Sequence, residues 1–188
     1  MPVDTVELAQ FLIGKLLVRE LSGGRRIGRI VETEAYPPGD SSGHAFRGQT
    51  ASNRSLFFEH GRAYVHFSYG TSILLNVTSE AAGTGASVLL RALEPLAGIR
   101  KMMRSRGTSR IVDLARGPGR ITIAMRVDKR FDGADLCARG PLWLGTDSQQ
   151  LMTIGATVRI GISREMNRKL RFYVCGSPFV SGPKKLPA

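Results

Sequence analysis

The stretch from Arg29 to His44, RIVETEAYPPGDSSGH, sets two carboxylates two residues apart, with a tyrosine two residues further on. Side chains alternate between faces on an extended strand, so Glu32, Glu34 and Tyr36 share one face, while Val31, Thr33 and Ala35 occupy the other. Two carboxylates on one face repel unless one is paired, protonated or beside a cation, and this is how a carboxylate is tuned for acid–base work. The same spacing also suits two salt bridges on a solvated face. The segment after Tyr36, rich in Pro, Gly and Ser to about Ser55 and containing His44, is long for a loop in a compact domain. Folded back, it would close a pocket over Glu34 and Tyr36.

A second group lies in YVHFSYG. Tyr64, His66 and Ser68 share one strand face, and Val65, Phe67 and Tyr69 share the other. Tyr69, followed by Gly70 and Thr71, falls at a hairpin tip, where an aromatic either inserts into a partner such as a DNA minor groove or is covered by a neighbouring loop. Arg91 stands inside the apolar run SVLLRALEP. A buried arginine needs an anionic partner, and Glu32, Glu34 or a phosphate would each serve. RGPGR, ahead of a renewed helical pattern, is either an ordinary helix-start turn or a cradle for a phosphate. His44, His60 and His66 lack the spacing of metal ligands, and Cys137 and Cys175 form no CxxC, so no metal is expected. There is no GxSxG motif, and Ala35 and Tyr36 stand where an Asp…Glu-x-Lys nuclease would need a lysine.

The elements that must position these groups follow from periodicity. Asp4 with Glu7 three residues on opens a helix, and Gly14 ends it. KLLVREL and RRIGRIVETEAY, separated by SGG, read as a hairpin. RAYVHFSYG and TSILLNVTS read as two more strands, ASVLLRALEP as a buried strand, and the chain after Pro95 as helix, first LAGIRKMMRSR and then 110–115. A further helix follows RGPGR, and LWL, ATVRIGI and LRFYV read as short strands before a loose tail at 183–188. The expected fold is a single α+β domain over 1–188, with a curved, largely antiparallel sheet flanked by helices and a protruding β-hairpin.

Composition narrows the partners. The 188 residues carry 27 Lys+Arg against 15 Asp+Glu, a net charge of +12. From Arg100 to Arg130 there are ten Lys/Arg and two acids, Asp113 and Asp128, which accounts for eight of those charges. Such a field either solubilises the surface or attracts a polyanion, of which nucleic acid is the commonest. No apolar run spans a membrane and no secretory signal opens the chain, so neither a membrane partner nor export is expected. Two isolated cysteines fit a reducing compartment.

GRIVETEAY, His44, NRSLF, AYVHFSYG, LLNVTS, VLLRALEPLAGI and LRFYVCGSPFVS occur in this order, and together they closely resemble the alkyladenine (3-methyladenine) DNA glycosylase family. The resemblance runs from the first helix to Ser181. It implies a cofactor-free, monofunctional enzyme that flips damaged purines out of double-stranded DNA, hydrolyses the N-glycosidic bond and leaves an abasic site for base excision repair. It further implies that Glu34 activates water and that Arg91, with the carbonyl of Ile160, helps to hold it. Tyr36, His44, His66 and Asn76 would form the base pocket, with Tyr36 as a stacking wall and Asn76 disfavouring guanine. Tyr69 would be the wedge, with Gly70, Thr71, Arg54 and Arg120 on the DNA. His66 stands where the family usually carries tyrosine, and a protonated His66 would disfavour cationic lesions relative to neutral hypoxanthine. The minimal length suggests a bacterial monomer at work in the cytoplasm, on the nucleoid. The competing readings are a non-catalytic nucleic-acid-binding module on a related fold and, more remotely, a polysaccharide glycosidase with paired carboxylates.

Overall fold

The computed structural model describes residues 1–68, 70, 72–146, 152–182 and 186. Helix α1 (Thr5–Phe11) leads into strands β1 (Leu16–Arg19) and β2 (Arg26–Tyr36). After the polar loop come β3 (Ala63–Ser68), β4 (Ser72–Thr78) and β5 (Ser87–Ala97), then helices α2 (Ile99–Arg106) and α3 (Pro118–Met125). Strands β6 (Leu142–Gly145), β7 (Ile154–Thr157) and β8 (Arg171–Val174) follow. Asp4 caps α1 as its position implies, accepting from the amides of Val6 and Glu7 at 2.8 and 2.9 Å.

Three elements depart from the sequence reading. Pro95 does not start a helix: β5 continues to Ala97, with Pro95 opposite Gly28, and the strand is broken only by Gly98 at φ +73°. The helical stretch expected at 110–115 is a single 3₁₀ turn, Ile111–Asp113. In ATVRIGI the sheet takes only Ala156 and Thr157, and the chain from Val158 turns towards the site. The tail expected at 183–188 lies outside the described residues except for Leu186.

The strands pair antiparallel in the order β3-β4-β5-β2-β1-β6, with β8 joining β2 to β7, and the sheet curls into a half-barrel. Its centre is β2, which pairs with β5 along its length and with β1 and β8 in turn along its other edge. One row of cross-strand partners carries much of the geometry. Tyr64, Asn76, Leu89, Glu34, Arg171 and Thr157 stand successively opposite one another on β3, β4, β5, β2, β8 and β7. Directly opposed residues point to the same face, so this row lies along one side of the sheet.

The other face carries the main core. Val65, Leu75, Val88, Leu90 and Ala35 pack there with Leu8 of α1, Leu12 just after it, and Ile121, Ala124 and Met125 of α3. Thr33 points the same way and donates to the Ala9 carbonyl of α1 at 2.9 Å. Besides a register shift between Ile27 and Gly28, strict alternation fails around Glu32. The β2–β5 register shifts on either side of Glu32, leaving Val31 and Arg91 as extra residues, and Val31 packs with Ala92, Tyr173 and Val180 in a separate apolar cluster. Bulges of this kind re-aim side chains and concentrate beside active sites.

The polar loop is docked, not loose. It passes over Gly85, where a Cβ would lie 2.5 Å from Ala45 Cβ and 2.6 Å from the Phe57 ring. Any side chain at 85 must push the loop off the sheet. Gly85→Val is therefore expected to lower stability by about 1–3 kcal/mol and to open 37–55 to proteolysis, both measurable by denaturant titration and limited digestion.

Candidate active site

Glu32 and Glu34 are both fully buried, and their partners separate their roles. Glu32 Oε1 accepts from Arg171 Nε at 2.6 Å, Ser181 Oγ at 2.9 Å and Arg91 Nε at 3.0 Å, and Oε2 accepts from the Ser181 amide at 2.6 Å. Among the described residues Glu32 thus has four donors, three of them on Oε1. Glu34 has three partners among them: the Ile160 amide at 2.8 Å and Arg91 Nη1 at 3.2 Å on Oε1, and the Tyr36 hydroxyl at 3.0 Å on Oε2. Ile160 meets Glu34 through its N–H, a contact separate from the one between its carbonyl and the water that the resemblance implies.

Arg91, in the β5 bulge, links the two acids. Burial works to lower the pKa of its guanidinium, but Glu34 and Glu32 outweigh this and hold it above its ordinary value. The Tyr36 phenol is pushed well above its usual range by burial and then by the Glu34 charge, so its hydroxyl stays a donor.

Above this floor opens a pocket of about 540 Å³, bordered by Tyr36, Arg91 and Ile160, all three partners of Glu34. Its opposite wall is Tyr64, His66 and Asn76, its rim includes His44 and Phe46 of the polar loop, and Pro118 and Gly119 at the start of α3 close another side. The His44 Nδ1 and the Tyr64 hydroxyl share a hydrogen bond at 2.9 Å, and His66 stacks on Tyr64 with ring centroids 4.8 Å apart. Asn76 Nδ2 reaches the Tyr64 carbonyl at 3.2 Å and His66 Nδ1 at 3.3 Å. Burial, with lesser contributions from His44 and Lys129, pulls His66 down to about 3, and burial lowers His44 as well. His66 is therefore a neutral ring at physiological pH. The cationic His66 expected to discriminate between lesions does not form there.

The structure brings Arg91, Tyr36, Ile160, His44, His66 and Asn76 to one pocket, and Glu34 lies fully buried behind its lining, in contact with the first three. Arg54 and Arg120 are exposed outside its lining, the first with its guanidinium 5.7 Å from the Phe58 ring and the second 3.3 Å from Asp113. Gly70 is exposed at φ +68°, while Tyr69 and Thr71 lie outside the described residues. Four residues escaped the sequence reading of the site: Arg171 and Ser181, which hold Glu32, and the ion pair of Arg159 with Asp40 at 2.7 Å. The signal for Arg159 and Arg171 was the one that marked Arg91, an arginine beside or within an apolar run.

The family model for methylpurine-DNA glycosylase matches residues 1–178. The chain belongs to the methylpurine-DNA glycosylase family. Two relatives bear the name "Putative 3-methyladenine DNA glycosylase": one from Mesorhizobium japonicum is 59% identical over 99% of this chain and 89% of its own, and one from Paraburkholderia phytofirmans is 53% identical over 99% and 87%. A relative of the same name from Methanoculleus marisnigri is 41% identical over 95% of this chain and 94% of its own. The fold of this family member contains no helix long and apolar enough to cross a membrane among the described residues.

Glu32→Gln leaves Arg91 and Arg171 buried with too little negative charge, so a stability loss of about 3–5 kcal/mol is expected by denaturant titration. The histidines give a pH signature. Below the ordinary pKa of about 6.5 the unfolded chain takes up protons that the folded protein refuses at His66 and His44, so stability falls as pH drops from there towards 3. In His66→Gln the stability loss between pH 7 and pH 5 should be smaller than in the wild type, as followed by chemical denaturation.

Proposed function

We propose that this protein is a monofunctional DNA glycosylase that excises damaged purines of the 3-methyladenine, 7-methylguanine and hypoxanthine class by hydrolysis, without a cofactor. The carrying observation is the difference in surroundings of the two carboxylates. All three partners of Glu34 among the described residues line the pocket, whereas of the partners of Glu32 only Arg91 does, and this supports Glu34 as the proton acceptor.

In this reading the damaged nucleotide leaves the stack, because its glycosidic carbon is inaccessible inside the duplex. The base enters between Tyr36 and His66, two rings that border the pocket. Asn76, its amide nitrogen committed to Tyr64 and His66, presents a fixed group against the exocyclic amine of guanine. Glu34 takes a proton from water as the water oxygen bonds to C1′. The C1′–N bond breaks and its electron pair departs with the base. The Glu34 charge also stabilises the oxocarbenium character that develops on the sugar. Arg91 pairs with Glu34 and faces the pocket, where it helps to orient the water. Outside, the basic face, Arg54 and Arg120 contact phosphates, and the 69–71 tip fills the space left in the duplex. The product is an intact strand with an abasic site.

The test is single-turnover release of hypoxanthine from an inosine-containing duplex, read by alkaline cleavage. Wild type is expected to release the base, and Glu34→Gln to be slower by about 10²–10⁴-fold, the usual range for general base catalysis, with DNA affinity retained. Tight, salt-dependent binding without release of hypoxanthine, 3-methyladenine or 7-methylguanine would instead establish a binding module.

A further inference from the structure

Arg159 stands behind Tyr36 and outside the pocket wall. Its side chain and that of Asp40 are fully buried, with Nη1 2.7 Å from Asp40 Oδ2 and 2.9 Å from the Ala35 carbonyl. Nε and Nη2 have no hydrogen-bond partner among the described residues. The guanidinium carbon lies instead 4.7 Å from the centroid of the Tyr36 ring. A buried cation that leaves N–H groups unpaired is destabilising unless its charge is compensated nearby. Here Asp40 compensates it at one edge and the aromatic face compensates it across the ring plane. Tyr36 and Asp40 border the pocket and Arg159 does not, so the cation stands behind the ring and its carboxylate partner.

We propose that Arg159 is a specificity-determining residue which, through the Tyr36 ring, biases the pocket against cationic purines and towards neutral ones. This rests on the reading of the pocket as a receptor for a flipped base. The negative face of an aromatic ring attracts cations through its quadrupole. A guanidinium already stacked on one face draws that electron density towards itself, so a second cation on the opposite face is held less well. A neutral base such as hypoxanthine loses little by this, whereas an N-alkylated purine carrying a delocalised positive charge loses more. The two other candidate cations do not account for such a bias. His66 is neutral, and Arg91 is matched by both Glu32 and Glu34. Asp40 offsets the Arg159 charge overall, but it bonds the guanidinium only at Nη1, while the face of the cation lies over the ring.

The experiment compares single-turnover excision of hypoxanthine and 7-methylguanine by the full chain. Arg159→Met is paired with Asp40→Asn so that no buried carboxylate is stranded, and folding is checked by thermal melting. The ratio of neutral to cationic excision is expected to fall about three- to tenfold, in the range of a partly desolvated cation–π contact. Arg159→Lys keeps the charge and should hold the ratio within about twofold of wild type even where both rates drop. In a Tyr36→Leu background the shift should vanish. An unchanged ratio with parallel loss of both rates would show a merely structural role, and a shift that survives Tyr36→Leu would overturn action through the ring. Equilibrium binding of uncleavable 2′-fluoro duplexes carrying either base reads the same ratio without chemistry. Failure of catalysis therefore remains distinct from failure of this inference, and equal binding ratios in wild type and the double variant would overturn it.

Discussion

Four ionised side chains beneath the pocket set the terms for everything around them. Glu32, Glu34, Arg91 and Arg171 are all removed from water, and none is stable there alone. Their charges balance, their hydrogen bonds interlock, and Ser181 supplies the last donors to Glu32. Such a cluster fixes geometry more than it adds stability, because replacing a buried ion network with apolar side chains is often neutral or stabilising. Its presence therefore calls for a reason other than folding, and the pocket directly above provides one. The bulges on either side of Glu32 serve the same end, bringing Arg91 within reach of both acids.

Within the cluster the two glutamates are chemically alike and positionally different. Glu32 sits opposite Tyr173 on β8 and is closed over by 181 from the far end of the chain. Glu34, two residues along, reaches the side where Tyr36, Ile160 and Arg91 meet the cavity. One strand thus carries both the anchor, Glu32, and the group proposed to react, Glu34, and the anchor holds the arginine with which Glu34 pairs. The second ion pair, Arg159 with Asp40, does a related job one layer out: it ties the polar loop to the chain after β7 and backs the ring of Tyr36.

Much of this was legible in the sequence, for physical reasons that apply position by position. The period-two pattern of β2 put Glu32, Glu34 and Tyr36 on one face, and the apolar surroundings of Arg91 demanded a buried anion. Both expectations match the geometry, Arg91 being bound to both candidates. The bulge at Val31 was not legible, because a register shift depends on the partner strand and leaves no local mark. The same holds for the row that sets Glu34, Leu89 and Asn76 side by side: each lies on a different strand, and only pairing brings them together. Pro95 misled because its missing N–H suits a helix start as well as a strand position that makes no donor bond.

The histidine wall shows where reading by residue type stops. An imidazole titrates near neutrality in water, so His66 in place of tyrosine suggested a charge switch. In the fold it is stacked on Tyr64, edged by His44 and bonded to Asn76, and burial removes the charge that made it interesting. What remains is a planar, neutral surface, the property that a tyrosine would also bring to a base sandwich. A positive charge lies instead behind Tyr36, in a guanidinium paired with the loop carboxylate Asp40. Charge around this pocket is thus shared between two lining residues, Arg91 and Asp40, each ion-paired, and Arg159 behind Tyr36, while the histidine wall stays uncharged.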